Sequence, residues 1–243
     1  MNALTVSVGY DDLLAITLPR MAAVFERICV VTTPEDHDTF LVAESRDNVF
    51  CHQTDAFTRG GATFNKGLAI EEGLEQLSRQ GWICCIDADI LLPNPTQFGK
   101  LEPGFLYGAK RKLCPDLRRW RESWQNWRVV RERELGGYLH VFHAEDPLLR
   151  ERPWYGTDWR HAGGCDSAME AKWPEDRHRH LPFQVVHLGP LCRNWWGRQT
   201  VRLDGRKPDG AIRSRELMQT MLNHRRQRDH DWERLPQEQE TNP

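Results

Sequence analysis

No run of apolar residues in this chain approaches the roughly 18 needed to cross a bilayer. The N-terminus also lacks the basic start and long apolar core of a secretory signal. Both absences point away from membrane-spanning and exported classes and toward a cytoplasmic protein. Cysteine chemistry is equally thin. There are seven cysteines, an odd number, and none stands in a C-x-x-C pair. That pattern argues against a disulfide framework and against a structural zinc site. At least four of the thiols lie in apolar, strand-like runs, where sulfur acts as a small hydrophobe. Internal repeats are absent as well.

What is present suits a globular chain of 243 residues, 39% of them hydrophobic. That length can bury a substantial core in one domain of ordinary size or in a core domain with an elaborated second half. The formal net charge of -2 hides an asymmetry. Residues 1–109 hold 7 Lys/Arg against 15 Asp/Glu, and the remainder holds 26 against 20. An acidic first half suits a metal site, and a basic second half suits an anionic partner.

The first half alternates strand and helix patterns. Strands are expected at Leu4–Gly9, Arg27–Thr33, Asn48–Gln53 and Trp82–Ile86. Helices are expected from about Asp12, with Pro19 as a kink or break, from Pro34, and over Asn65–Leu77 with Gly81 as its cap. This β-α alternation predicts an open parallel α/β sheet. In the second half, strands are expected at Gly104–Ala109, Tyr138–His143 and Phe183–Leu188, with a tryptophan-rich helix over Pro115–Leu135 and a short helix after Gly163-Gly164.

Asp87-Ala88-Asp89 ends the run Ile83-Cys84-Cys85-Ile86. Residues i and i+2 of an extended chain point to one side, so both carboxylates face one crevice at the carboxyl end of a parallel strand. Two acids wedged between buried runs are costly without a cation. Hard ions such as Mg²⁺ or Mn²⁺ take oxygen ligands and bridge to phosphate.

Asp87-Ala88-Asp89-Ile90-Leu91-Leu92-Pro93, preceded by Phe64-Asn65-Lys66-Gly67, resembles the A-type glycosyltransferases, particularly the large family-two-like group. The resemblance implies a Rossmann-like nucleotide-sugar fold with a mostly parallel central sheet and an elaborated acceptor-side second half. It divides the chain into a nucleotide-sugar-binding half, 1–110, an acceptor-binding and catalytic half of the same domain, 111–228, and a polar tail, 229–243. Asp89 would ligate Mn²⁺ or Mg²⁺, and Asp87 would contact the ribose or a metal-bound water. Val31, Thr32 and Thr33 would hold the uracil, Asp55 could reach the nucleoside, and Lys66 the nucleotide or sugar. His187, in Val185-Val186-His187-Leu188-Gly189, would complete the metal sphere, since neutral imidazole is a good Mn²⁺ ligand. Asp166, after Gly163-Gly164-Cys165, would be the general base of an inverting transfer. A helix N-cap is its competing role, as a surface lysine is for Lys66. His178 and His180, in a charged stretch, are weaker metal candidates.

Trp120, Trp124 and Trp127 fall at helical spacing among Arg118, Arg119, Arg121, Arg128, Arg131 and Arg133. Lys110–Arg133 and Arg193–Arg228 carry most of the basic surplus, and Trp195-Trp196 follows the candidate metal histidine. Arginine with interleaved aromatics suits phosphate contacts and stacking. The expectation is therefore a UDP-sugar-dependent glycosyltransferase of hexosyl or N-acetylhexosaminyl type. Trp195, Trp196, Arg118, Arg119 and Arg121 would line the acceptor site. The acceptor would be anionic, such as hydroxymethylpyrimidine DNA of phage type, another nucleic acid or an acidic glycan. A nucleotidyltransferase and a non-catalytic nucleic-acid-binding module are the alternatives. The former class usually has a glycine-rich, arginine-containing loop after its first strand, where this chain reads Val8-Gly9-Tyr10-Asp11-Asp12.

Overall fold

The computed structural model describes residues 1–114, 116–130, 135–189 and 194–207, all inside one compact unit, Met1–Asp209. The side chain of Arg118, residues Arg131, Arg133 and Arg193, and the expected polar tail lie outside the described residues.

The described chain runs β1 (Asn2–Val6), α1 (Asp11–Ala22), β2 (Arg27–Thr32), α2 (His37–Ala43), β3 (Val49–Gln53), α3 (Lys66–Gln76), β4 (Trp82–Ile86), β5 (Ile90–Leu91), β6 (Leu106–Leu113), β7 (Leu139–His143), α4 (Cys165–Glu170) and β8 (His178–His187). Eight strands form one sheet in the order β3-β2-β1-β4-β7-β6-β8-β5. The first four are mutually parallel, as the β-α alternation predicts. Beyond β4 the direction changes. β7 runs antiparallel to β4, β6 antiparallel to β7, β8 parallel to β6 and β5 antiparallel to β8. The result is a mixed, mostly parallel α/β sheet of the Rossmann-like kind.

The continuous apolar character of β2 and β4 has a direct cause. Ile28–Val31 and Ile83–Ile86 are buried, and alternate residues feed cores on opposite faces of the sheet. α1 packs its Leu14, Leu18 and Met21 on one face, and α3 packs Ile70 and Leu74 on the other. No helix among the described residues is long and apolar enough to cross a membrane.

Local expectations fail in three places. Pro19 does not break α1, which continues to Ala22 with Leu18 and Met21 anchored in the core. Core packing here outweighs the one backbone hydrogen bond that proline removes. α3 is closed by Ser78 and Arg79 at φ 59° and 45°, ahead of Gly81. The stretch Pro115–Leu135 holds only a short 3₁₀ turn, Leu117–Arg119, among its described residues. Its tryptophans reach the core from irregular chain: Trp120, Trp124 and Trp127 pack against Leu13, Leu91, Val186 and Leu188. The helical spacing was an accident of composition, since apolar side chains need only a surface to cover.

Arg79 explains its strained backbone. Its guanidinium is buried, lies 2.8 Å from both Glu71 Oε2 and Glu75 Oε1, and stacks 4.5 Å over the Trp154 ring. Glu71 Oε1 in turn accepts the backbone N–H groups of Trp154 and Tyr155 at 2.9 and 2.7 Å. This buried pair ties α3 to the 154–155 segment. Glu71→Ala leaves the buried guanidinium with only Glu75 as a counter-charge and strands two buried N–H donors, and is expected to cost about 2–4 kcal/mol of stability. Denaturant unfolding checks the value, and a loss below about 1 kcal/mol contradicts this role.

Candidate active site

α3 begins at the carboxyl edge of the parallel strands. Asn65 fixes its start: the side-chain Oδ1 accepts from Leu68 N at 3.0 Å and Nδ2 donates to the Thr157 carbonyl at 2.7 Å. The first helical residue, Lys66, therefore points into the sheet edge and not to solvent. Its Nζ lies 2.8 Å from Asp87 Oδ1 and 3.2 Å from Asp166 Oδ2. Lys66 is 8% exposed, which excludes the surface-lysine role. The three side chains line one small pocket with Cys85, Gly137 and Tyr155.

Asp166 is not a helix cap. The N-cap of α4 is Gly164, at φ 98°, with no side-chain cap bond, and Asp166 sits in the first turn facing Lys66. Burial raises its carboxyl to about 6, against the opposing pull of Lys66 and with a further push from Asp87. Gly137 permits this placement. A Cβ there would overlap the Asp166 side chain, so a glycine lets the chain before β7 pass the carboxylate closely.

Asp89 and His187 meet through sheet register. Ile90 of β5 pairs with His187 of β8, and Leu188 N donates to the Asp89 carbonyl at 2.9 Å. His187 Nε2 lies 3.5 Å from Asp89 Oδ2. Both residues are buried, and His187 Nδ1 finds no hydrogen-bond partner. Burial pushes the Asp89 carboxyl up, and His187 pulls it down. A buried carboxylate facing an imidazole nitrogen fits two ligands of a divalent ion. Among the described residues no cluster of three or more such side chains occurs. His178 and His180 stand at the start of β8, not in a loop, and are removed from this pair along the strand.

The remaining candidates divide. Val31 and Thr32 are fully buried, and Thr32 gives its hydroxyl to Asp36 Oδ2 at 3.1 Å. Thr33 keeps partial exposure. Asp55 is exposed and paired with Arg59. Arg119 is paired with Glu122 at 2.7 Å, and Arg121 stacks 4.8 Å from the Trp120 ring. Trp195 and Trp196 lie with ring centroids 6.0 Å apart, and the Trp195 carbonyl accepts from Ala162 N at 2.7 Å, beside the glycines that precede Asp166.

The basic surplus of the second half is partly spent inside the molecule. Arg198 is buried and makes a two-pronged pair with Asp12, and also donates to the Gly9 carbonyl at 2.7 Å. Arg202 pairs with Asp11 through two 2.5 Å bonds. These arginines of the 193–228 segment hold the β1–α1 loop instead of facing an anionic acceptor. Sequence reasoning missed Gly137, Tyr10 and Tyr155. Tyr10 stacks under Arg198, and burial, with the negative charges of Asp89 and Asp87, drives its phenol pKa up against the opposing pull of Arg198. Only the Asp11-Asp12 pair at a helix start was a visible signal, and its partner lies 186 residues away.

Neither a protein-family profile nor a curated protein sequence matches the chain. Solved structures do align with it. One, described as a glucose-1-phosphate thymidylyltransferase of Bacillus anthracis, has 10% identity and TM-score 0.46 over 76% of this chain and 86% of that one. A 4-diphosphocytidyl-2C-methyl-D-erythritol synthase of Anaerococcus prevotii has 14% identity and TM-score 0.42 over 93% and 95%. A nucleoside-diphosphate-sugar pyrophosphorylase of Vibrio cholerae has 14% identity and TM-score 0.35 over 59% and 73%. All three names are of nucleotidyltransferase type, and at these scores the likeness carries no activity to this chain.

Proposed function

We propose that this protein is a metal-dependent glycosyltransferase, moving a sugar from a UDP-sugar to a hydroxyl acceptor with inversion. The observation that carries the reading is Lys66 bridging Asp87 and Asp166 at the carboxyl edge of the parallel strands. Asp166 removes the acceptor hydroxyl proton as the oxygen attacks the anomeric carbon. The bond from that carbon to the diphosphate breaks, and UDP leaves with the electron pair. Asp89 and His187 would hold Mn²⁺ or Mg²⁺, and the ion, when bound, would supply positive charge beside the departing diphosphate. Lys66 keeps Asp166 ionised and Asp87 fixed. Thr33 and the exposed Asp55 are the residues left open to the nucleoside.

Nucleotidyl transfer is the second reading, and it is the class that the names of the three solved structures carry. The loop after β1 supports the first reading. It reads Val8-Gly9-Tyr10, and the acids that follow are neutralised by Arg198 and Arg202. A phosphate-gripping loop would leave its cations open to a triphosphate. A screen of UDP-sugars with and without Mn²⁺ tests the choice. Release of UDP that requires metal supports glycosyl transfer. Release of pyrophosphate from a nucleoside triphosphate and a sugar phosphate, without UDP release from any UDP-sugar, replaces it with nucleotidyl transfer.

The metal pair gives its own expectation. Asp89→Asn and His187→Ala should each weaken Mn²⁺-dependent UDP binding about tenfold or more while the fold persists. Calorimetric titration with metal and UDP measures this, and unchanged affinity in both variants removes the assignment.

A further inference from the structure

Three segments converge beside Asp166. Thr63 N and Phe64 N, just before Lys66, donate to the Arg160 carbonyl at 2.9 and 3.1 Å. The 194–197 turn meets the second segment through the Ala162–Trp195 bond, and a Cβ on Gly197 would touch the Phe64 ring at 3.5 Å. Four rings gather there. Trp159 lies 5.9 Å from His161, His161 lies 5.2 Å from Trp196, and Trp196 lies 6.0 Å from Trp195. His161 Nδ1 accepts from Gly163 N at 3.0 Å, so the imidazole braces the turn that leads to Asp166.

The glycine pair of that turn has a steric purpose. A Cβ on Gly164 would come within 2.6 Å of the Trp159 ring, and one on Gly163 within 3.2 Å of the His161 ring. Two glycines therefore let aromatic faces close down on the start of α4. Trp159 still leaves 41% of its surface to solvent, unusual for so large an apolar side chain.

From this arrangement we infer that the aromatic cluster Trp159–His161–Trp195–Trp196 is the acceptor subsite, and that the acceptor is an uncharged pyranose ring. This rests on the glycosyltransferase reading. A pyranose presents a C–H face to stack on indole while its hydroxyls stay at the edge, where one can reach Asp166. Among the described residues, charge argues against a polyanion. Arg198 and Arg202 on the neighbouring strap are committed to Asp12 and Asp11. Arg160 gives an N–H to the Gly61 carbonyl at 2.6 Å, and the exposed Asp158 precedes Trp159 in the chain. Asp166 would itself repel a nearby phosphate. Charge pairing among the described residues thus favours a sugar over a nucleic acid at the same aromatic surface.

Saturation-transfer NMR on the full chain with UDP and Mn²⁺ present tests this, using uncharged methyl pyranosides and, separately, a single-stranded oligonucleotide. At least one methyl pyranoside should receive saturation on its ring C–H protons, with an affinity that is flat in salt. Trp159→Ala and Trp196→Ala should each weaken it about tenfold, whereas Trp159→Phe, which keeps a stacking face, should retain most of it. Circular dichroism reports whether each variant folds, and Trp159→Phe decides the matter if Trp159→Ala does not. Two results overturn the subsite: no pyranoside response, or oligonucleotide binding that falls steeply with salt. Metal-dependent UDP release by the same preparation separates the outcomes. If UDP is released but no pyranoside stacks, only the subsite falls. If no UDP is released, the glycosyltransferase reading falls first.

Discussion

Asp166→Asn is expected to lower turnover by about 10²-fold or more while UDP affinity barely moves. The carboxylate is isosteric with the amide, so Lys66 keeps a neighbour, and only proton acceptance is lost. The pH profile carries more information than the rate. Burial raises the Asp166 carboxyl to about 6, so wild-type kcat/KM should climb with pH through an acid limb near that value. The variant should lose that limb. Stability must move in the opposite sense. A carboxyl whose folded pKa lies above its unfolded value stabilises the fold when protonated, and that contribution fades as pH rises from about 4 to 6. Asp166→Asn carries no such loss. Its stability relative to wild type should therefore improve across that window and stay improved at pH 7. An inactive variant that is more stable than wild type at neutral pH is the pattern of a catalytic group held at a cost. A variant with normal transfer rate, or one that unfolds more readily at pH 7, contradicts the assignment.

Lys66→Met has the second large effect. Methionine fills the channel of the lysine stem but leaves Asp87 and Asp166 facing each other without a cation. The ammonium of Lys66 now pulls the Asp166 carboxyl down and Asp87 pushes it up. Removing the first of these leaves the second, so the acid limb of kcat/KM should move to higher pH. Turnover at neutral pH should fall by roughly 10–10²-fold because less of the base is ionised and its position is lost. The fold should also weaken by about 3–5 kcal/mol at pH 7, the scale for stranding a buried charge. That loss should shrink as pH falls and Asp166 takes up a proton. Lys66→Arg keeps the charge in a wider, planar group, and should preserve the position of the acid limb better than the rate. An unmoved limb in Lys66→Met removes Lys66 from the control of Asp166.

The contrast between Lys66 and the arginines shows how far charge can be read along a chain. The sequence has a basic second half and an acidic first half, and the simplest reading sends the surplus to an external anion. Folding spends part of it internally. Arg198 and Arg202 reach back 186 and 191 residues to Asp12 and Asp11, and Lys66 reaches forward 100 residues to Asp166. Charge asymmetry between segments is a statement about composition, and only a fold decides whether opposite charges meet each other or a partner.

What the sequence by itself determined is the parallel half of the sheet and the edge at which its acidic pair lies. Buried strands of a two-sided sheet must be apolar throughout, so β2 and β4 announce themselves, and the acids that end β4 can only lie at its carboxyl edge. The same logic singled out Asp87 and Asp89, where β4 stops, while Asp166 and His187 became candidates only through the family resemblance. Tertiary structure decided which of these meet. Asp89 joins His187 because β5 pairs with β8, and Asp166 joins Lys66 because Gly137 lets the chain before β7 lie against it. Neither contact leaves a local trace, since register and close approach depend on residues about a hundred positions apart. The stretch after residue 114 marks the other limit. Its tryptophans repeat at helical spacing, yet no helix forms among the described residues there, because the apolar surface of Leu13, Leu91 and Val186 can be covered by irregular chain as well as by a helix.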